Sequence, residues 1–353
     1  MCIRDSFRGE SKRMKYRVFP QNHEIKVSEV GFGVWSVATK WWGVTDESLG
    51  ISLLRYGLDN GINFYDTADV YGNGYGEEIV NKAFSGSRHE IILATKFGYD
   101  IYSNTSERKG HKELPQKFSK KDIKYSCEQS LKRLKTDYID IYQMHNPRFD
   151  FINNEEVLET LKELVEEGKI RSWGMALGPD IGWLDEGLNS IDKNPASIQI
   201  IYNLLEQEPS KTLLSKSHES DIGFIARVPH ASGILDGNFD KDKVFSSDDH
   251  RSHRRQKWML NGLQAKDDLS FLFSDNDRTI GQTAILFSLS QKNICTVLPN
   301  FTNKDEILEY SKCSYLEPIS DNDIDKINNL WVDSHSKLLD QPFSNSETKP
   351  TPK

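Results

Sequence analysis

Eight apolar runs alternate with amphipathic helical stretches along this chain, and that alternation leaves few folds open. The runs read as strands over 28–35, 63–69, 91–97, 138–145, 170–177, 197–203, 223–229 and 294–299. They are near-continuous apolar segments, as a sheet covered on both faces requires. Between them lie stretches with helical spacing, for example Val157, Leu158, Leu161, Leu164 and Val165 on one face of 154–168. Such alternation argues for parallel β–α units. Eight units favour closure into an α/β (β/α)8 TIM barrel, with a doubly wound open sheet as the runner-up. Residues 15–27 read as an N-terminal β-hairpin plugging the barrel bottom, and 321–335 as an extra C-terminal helix. Residues 14–338 are expected to form a single barrel domain. Residues 1–13 read as a non-native or disordered extension ahead of Met14, and 339–353 as a disordered tail. Two long stretches, about 98–118 and 236–277, read as loops after the third and seventh strands.

Composition narrows the partners. The 353 residues carry a net charge of -8 and no basic stripe, so neither a nucleic-acid backbone nor an anionic membrane surface is an expected partner. No apolar run is long enough to cross a bilayer. Cys2, Cys127, Cys295 and Cys313 match no zinc or redox spacing, and reduced thiols in a cytoplasmic protein are the simplest reading.

Polar residues close three consecutive strand runs. Asp66 and Tyr71 lie in NFYDTADVY, Lys96 ends IILATK, and His145 ends YIDIYQMH. Each is costly to bury without a partner. A parallel barrel gathers its chemistry at the strands' C-terminal ends, so an acid, a phenol, an amine and an imidazole converge there as a proton-transfer device.

The segments GINFYDTADVYGNGYGEEIVNKAF, ATKFG, YIDIYQMHNP and GKIRSWGMA, in this order, resemble the aldo-keto reductase superfamily from about residue 28 to 310. The resemblance implies that Asp66, Tyr71, Lys96 and His145 are a catalytic tetrad, and the residue chemistry agrees. Carbonyl reduction needs a hydride on carbon and a proton on oxygen. Tyr71 can supply the proton, and a nearby Lys96 ammonium favours its phenolate. Asp66 keeps the ammonium charged and oriented, and His145 can polarise the carbonyl. None of the four delivers hydride, so a nicotinamide cofactor is implied. The expected activity is NAD(P)(H)-dependent interconversion of aldehydes, ketones or sugar aldoses with alcohols.

By the same resemblance, Gln199 binds the nicotinamide carboxamide, Arg227 stacks on the ring, and Ser232 and Gly233 approach the pyrophosphate. Asn300, Lys304 and Glu306 fall at the adenosine end. Glu306 stands where many NADPH-binding relatives carry Arg or Gln, and Ala176-Leu177 where many carry Ser-Asn. A carboxylate at 306 repels a 2'-phosphate and can instead accept from a free ribose diol. NADP(H) is narrowly favoured over NAD(H), with Lys304 as the phosphate contact. GNGYG (72–76) lacks the downstream acid of a dinucleotide loop and reads as a turn opening a helix. Trp35, Trp41 and Trp42 follow or end the first strand and could line an aromatic substrate wall or pack under the loops. His250 and His253 in DDHRSHRRQKW lack a convincing third ligand, so no metal is expected. Two rival functions are a cofactor-binding regulatory subunit of the same fold without significant turnover, and a metal-dependent hydrolase built on Asp66, Asp69, His145 and His230.

Overall fold

The computed structural model describes residues 13–39, 43–103, 113–178, 183–237, 239, 242, 245, 249–274 and 277–339. Of the extension (1–13) and tail (339–353) read above, residues 1–12 and 340–353 lie outside the described residues, as do Trp41 and Trp42. Ten strands are described: β1 (Tyr16–Phe19), β2 (Asn22–Ser28), β3 (Phe32–Gly33), β4 (Phe64–Asp66), β5 (Ile92–Phe97), β6 (Ile139–His145), β7 (Ile170–Ala176), β8 (Ser197–Ile201), β9 (Gly223–Arg227) and β10 (Ile294–Leu298). Strands β3 to β10 pair in chain order, all parallel. The ring closes where Val30 bridges Val297 in parallel, with Gly31 N donating to Val297 O and Val297 N to Glu29 O, each at 2.9 Å. This is the eight-stranded parallel barrel expected from the alternation.

The first barrel strand is shorter than the apolar run 28–35 suggests. Ser28 ends the hairpin strand β2, residues 29–31 are spent on the closing seam, and only Phe32–Gly33 pair with β4. Trp35 therefore does not end a strand; it opens a short helix, Trp35–Ala38.

β1 and β2 form the antiparallel hairpin. Its Phe19, Ile25 and Val27 pack on Phe64, Ala94, Ile141, Ile225 and Cys295 of the barrel strands, all buried. A barrel has no closed bottom of its own, and each side chain of this size buried there contributes about 1.5–3 kcal/mol. Arg17 secures the plug by donating to the carbonyls of Ile294, Leu289 and Gln291 at 2.7, 2.9 and 3.2 Å.

The helices Tyr75–Phe84 and Lys120–Leu134 lie where their periodicity places them. Within 236–277, read above as loop, the chain instead forms the helix Gln256–Asp268. Trp258, Met259, Gly262 and Ala265 are its buried side, an inward stripe too narrow to stand out among polar neighbours. The C-terminal helix Asp321–Leu330 continues through a wider turn at Trp331–His335 into Ser336–Leu339. No described helix is long and apolar enough to cross a membrane.

Candidate active site

Register brings the polar strand ends to one rim. Asp66 ends β4, Lys96 pairs across to Gln143 of β6, His145 ends β6, and Gln199 of β8 lies opposite Ala176. Tyr71 follows β4 on a tight turn in which Gly72, Asn73 and Gly74 all have positive φ. Gly76 then lets the helix Tyr75–Phe84 start against this turn. A Cβ there would lie 2.6 Å from Thr67 Oγ1 and 3.0 Å from Tyr71 Cβ.

Lys96 is the hub. Its Nζ donates to Asp66 Oδ1 at 2.5 Å, to the Thr67 carbonyl at 2.8 Å and to Tyr71 Oη at 3.2 Å. Both charged partners are buried, at 1% and 5% side-chain exposure, so solvent screens the pair little. Burial works against the ammonium, but Asp66 and then Tyr71 outweigh it and hold the Lys96 pKa above its ordinary 10.5. The second Asp66 oxygen accepts from Gln199 Nε2 at 2.9 Å and from Gln143 Nε2 at 3.0 Å. Two amides thus fix the carboxylate that fixes the amine.

Tyr71 is half-buried between two rings. Trp35 packs edge-on at 4.7 Å between centroids, and His145 lies edge-on at 6.0 Å. His145 is flanked in turn by Tyr99 at 5.0 Å. Tyr99 Oη donates to Glu113 at 2.7 Å and accepts from Asn146 Nδ2 at 2.8 Å, while Gln116 donates to the His145 and Asn146 carbonyls. The loop after β5 is tied to the end of β6 by these bonds.

All four expected tetrad residues meet at one rim. Gln199 is there too, but in this structure it donates to Asp66. Arg227 ends β9 and donates through Nη2 to the Leu177 carbonyl at 2.6 Å. Just beyond, Ala231, Ser232 and Gly233 turn through left-handed backbone conformations. Asn300 lies beside Gly33 past the end of β10. Glu306 is neither a free carboxylate nor a merely solvated one: it accepts from Thr302 N at 2.6 Å and from Thr302 Oγ1 at 3.0 Å, bracing its own helix start. Lys304 Nζ sits 4.9 Å over the Tyr56 ring.

The rival metal set does not assemble. His230 faces the Gly281 carbonyl and the Tyr310 ring, and no group of three or more His, Cys, Asp or Glu that could hold a metal ion occurs among the described residues. Asp69 is fully buried, and burial, then the charge of Glu77, pushes its carboxyl well above the usual range. The His250–His253 turn has a described backbone, but both imidazoles lie outside the described residues.

Gln143 and Thr67 were missed in sequence. Gln143 could have been found: it is a polar residue inside the apolar run YIDIYQMH, the same signal that marks Asp66 and Lys96. Thr67 acts through its backbone carbonyl, which leaves no trace in residue type.

A model of the aldo/keto reductase family matches residues 29–332. The chain is 36% identical over 236 residues to the aldo-keto reductase YhdN of Bacillus subtilis; the match covers 65% of this chain and 66% of that protein, just under two thirds. It is 28% identical to the aldo-keto reductase yakc [NADP(+)] of Schizosaccharomyces pombe, covering 80% and 82% of the two chains. Among solved structures, the holo form of aldo-keto reductase AKR11C1 from Bacillus halodurans superposes with a TM-score of 0.72 at 28% identity, over 90% of this chain and 96% of that one.

Proposed function

This chain belongs to the aldo/keto reductase family, and on that premise we propose that it interconverts carbonyl compounds and alcohols by hydride transfer with a nicotinamide cofactor. One observation carries the reading: a single buried ammonium bonds Asp66 and Tyr71 Oη at once. In the reductive direction, Tyr71 Oη gives its proton to the carbonyl oxygen. Lys96 donates to the phenolate left behind, and Asp66 neutralises Lys96 so that the amine remains charged without solvent. His145 stands beside Tyr71 to hydrogen-bond and polarise the same carbonyl oxygen. Trp35 walls the other side of Tyr71, which suits apolar aldehydes, ketones and sugar aldoses.

The residues present fit a dinucleotide. Gln143 Oε1 is a buried acceptor without a partner next to Asp66, the turn at Ala231–Gly233 opens backbone to close approach, and Arg227 has donors to spare. Gln199 and Arg227 would hold the nicotinamide end, Ser232 and Gly233 the pyrophosphate, and Asn300, Lys304 and Glu306 the adenosine end. When bound, the nicotinamide supplies the hydride. Because Glu306 is engaged by Thr302, the exposed Lys304 is the cation available to a 2'-phosphate, and a relative is named for NADP(+). NADP(H) is therefore our choice over NAD(H). The barrel of residues 14–338 acts as one domain, and three buried free thiols, Cys127, Cys295 and Cys313, suit a cytoplasmic setting.

The test is the purified protein with NADPH or NADH against a panel of aldehydes, ketones and sugars, followed at the nicotinamide absorbance. Turnover with a lower KM for NADPH is expected. Tight cofactor binding with no turnover across the panel would instead favour the regulatory subunit.

A further inference from the structure

Among the described residues, Arg227 is a half-buried cation without a counter-ion. One donor goes to the Leu177 carbonyl, and no carboxylate among the described residues pairs with its guanidinium. The carboxylates whose charge it feels are already matched. Asp66 is held by Lys96, and Glu206 by Arg254 at 2.8 Å and by Asn203 at 2.9 Å. Burial pulls the guanidinium pKa down, while Tyr71 and Asp66 pull it back. A guanidinium does not shed its proton near neutrality, so the rim carries one positive charge in excess.

The reaction places a group of variable charge beside that excess. A carbonyl whose oxygen touches Tyr71 Oη must have its carbon within about 3–3.5 Å of the hydride donor. A nicotinamide ring bound as proposed above would therefore lie at the same rim as Arg227, and this inference rests on that reading. Hydride donation to the carbonyl carbon, with the Tyr71 proton passing to the oxygen, would take such a ring from neutral to a charge of +1, and once the Tyr71 phenolate regains a proton from solvent that charge has no new anion beside it. A fixed cation in a poorly screened site tolerates the neutral ring and repels the charged one.

From this charge balance we propose that Arg227 makes the protein discriminate between the redox forms of its cofactor, favouring reduced over oxidised nicotinamide. Oxidised cofactor is thereby expelled after each carbonyl reduction.

The experiment measures Kd for NADPH and NADP+ on the full chain at one pH and salt concentration. Wild type should bind NADPH at least about tenfold more tightly, or about 1.4 kcal/mol. Arg227→Gln should bring the two constants within about threefold, and Arg227→Lys should retain the preference, because the charge rather than the shape matters. Arg227→Met serves as a second neutral variant should the glutamine protein fail to fold. A wild-type ratio near one, or an unchanged ratio in the neutral variants, overturns the role of Arg227 alone. Failure of wild type to bind either form overturns the cofactor assignment along with it.

Discussion

Replacing Asp66 with asparagine should cost stability because of what the carboxylate touches. The ion pair to Lys96 spans 2.5 Å between buried groups. At an effective dielectric constant of about 20, the attraction at that distance is about 7 kcal/mol, part of which offsets the desolvation of both ions. Asparagine abolishes the attraction and leaves the desolvated ammonium in place. Its single amide oxygen also cannot serve Lys96, Gln143 and Gln199 together, so a buried donor is stranded. Breaking one side of a buried pair costs about 3–5 kcal/mol, and that is the expected loss for Asp66→Asn. The sign with pH follows from Lys96. Its folded pKa is raised, so the contribution is complete below the ordinary 10.5 and disappears as pH rises through the folded value. Urea unfolding at pH 7 therefore reads the whole effect. In a double-mutant cycle with Lys96→Met, the two losses should be strongly non-additive, because the double variant no longer buries an unpaired charge. A loss below about 1 kcal/mol for Asp66→Asn, or simple additivity, would show that Lys96 does not depend on this carboxylate.

Three further outcomes are expected. Tyr71→Phe should abolish turnover on every carbonyl of the panel while leaving the cofactor Kd within about threefold of wild type, since it removes the proton and little else; residual turnover above about 10% would assign the proton to another group. His230 is held by burial at a pKa of about 4 instead of 6.5, against the partial support of the Gly281 carbonyl. The unfolded chain thus takes up a proton that the folded one refuses, and stability should fall by on the order of 2 kcal/mol as pH drops from about 6.5 to about 4. His230→Gln should flatten that slope in pH-dependent melting, and an unchanged slope would place the titration elsewhere. Gly76→Ala should cost about 1–3 kcal/mol and lower kcat, because the added methyl meets Thr67 and Tyr71 behind the proton donor; unchanged kcat and melting temperature would mean the turn relaxes freely.

The parts legible in sequence are those where one physical demand dominates residue choice. Strands buried on both faces had to be apolar, so a polar residue at 66, 96 or 145 stood out against its run. Helices such as Lys120–Leu134 repeat their inward positions strongly enough to be bounded to the residue. Legibility fails where two demands compete. The run 28–35 is apolar from Val30 onward, yet it divides among hairpin, seam, strand and helix, and composition does not mark those joints. The buried side of Gln256–Asp268 includes Gly262 because Ile234 would lie 2.7 Å from a Cβ there, so close packing replaced the apolar signal. Glu306 read as a charge at the adenosine end, but residue type does not reveal that Thr302 also engages it. Arg227 was legible as a cofactor contact, but its lack of a counter-ion among the described residues is a property of the assembled rim alone.

The seam joining Val30 to Val297 has a consequence for how the chain becomes a barrel. Every other neighbouring pair of barrel strands is consecutive in the chain and can form as soon as both are made. The last one must wait until Ile294–Leu298 has left the ribosome. Until then the growing sheet exposes two bare borders of unpaired amides and carbonyls, each a template for another chain. Truncations that stop short of residue 294 would make that exposure permanent, so such fragments should aggregate even though most of their helices and strands are intact.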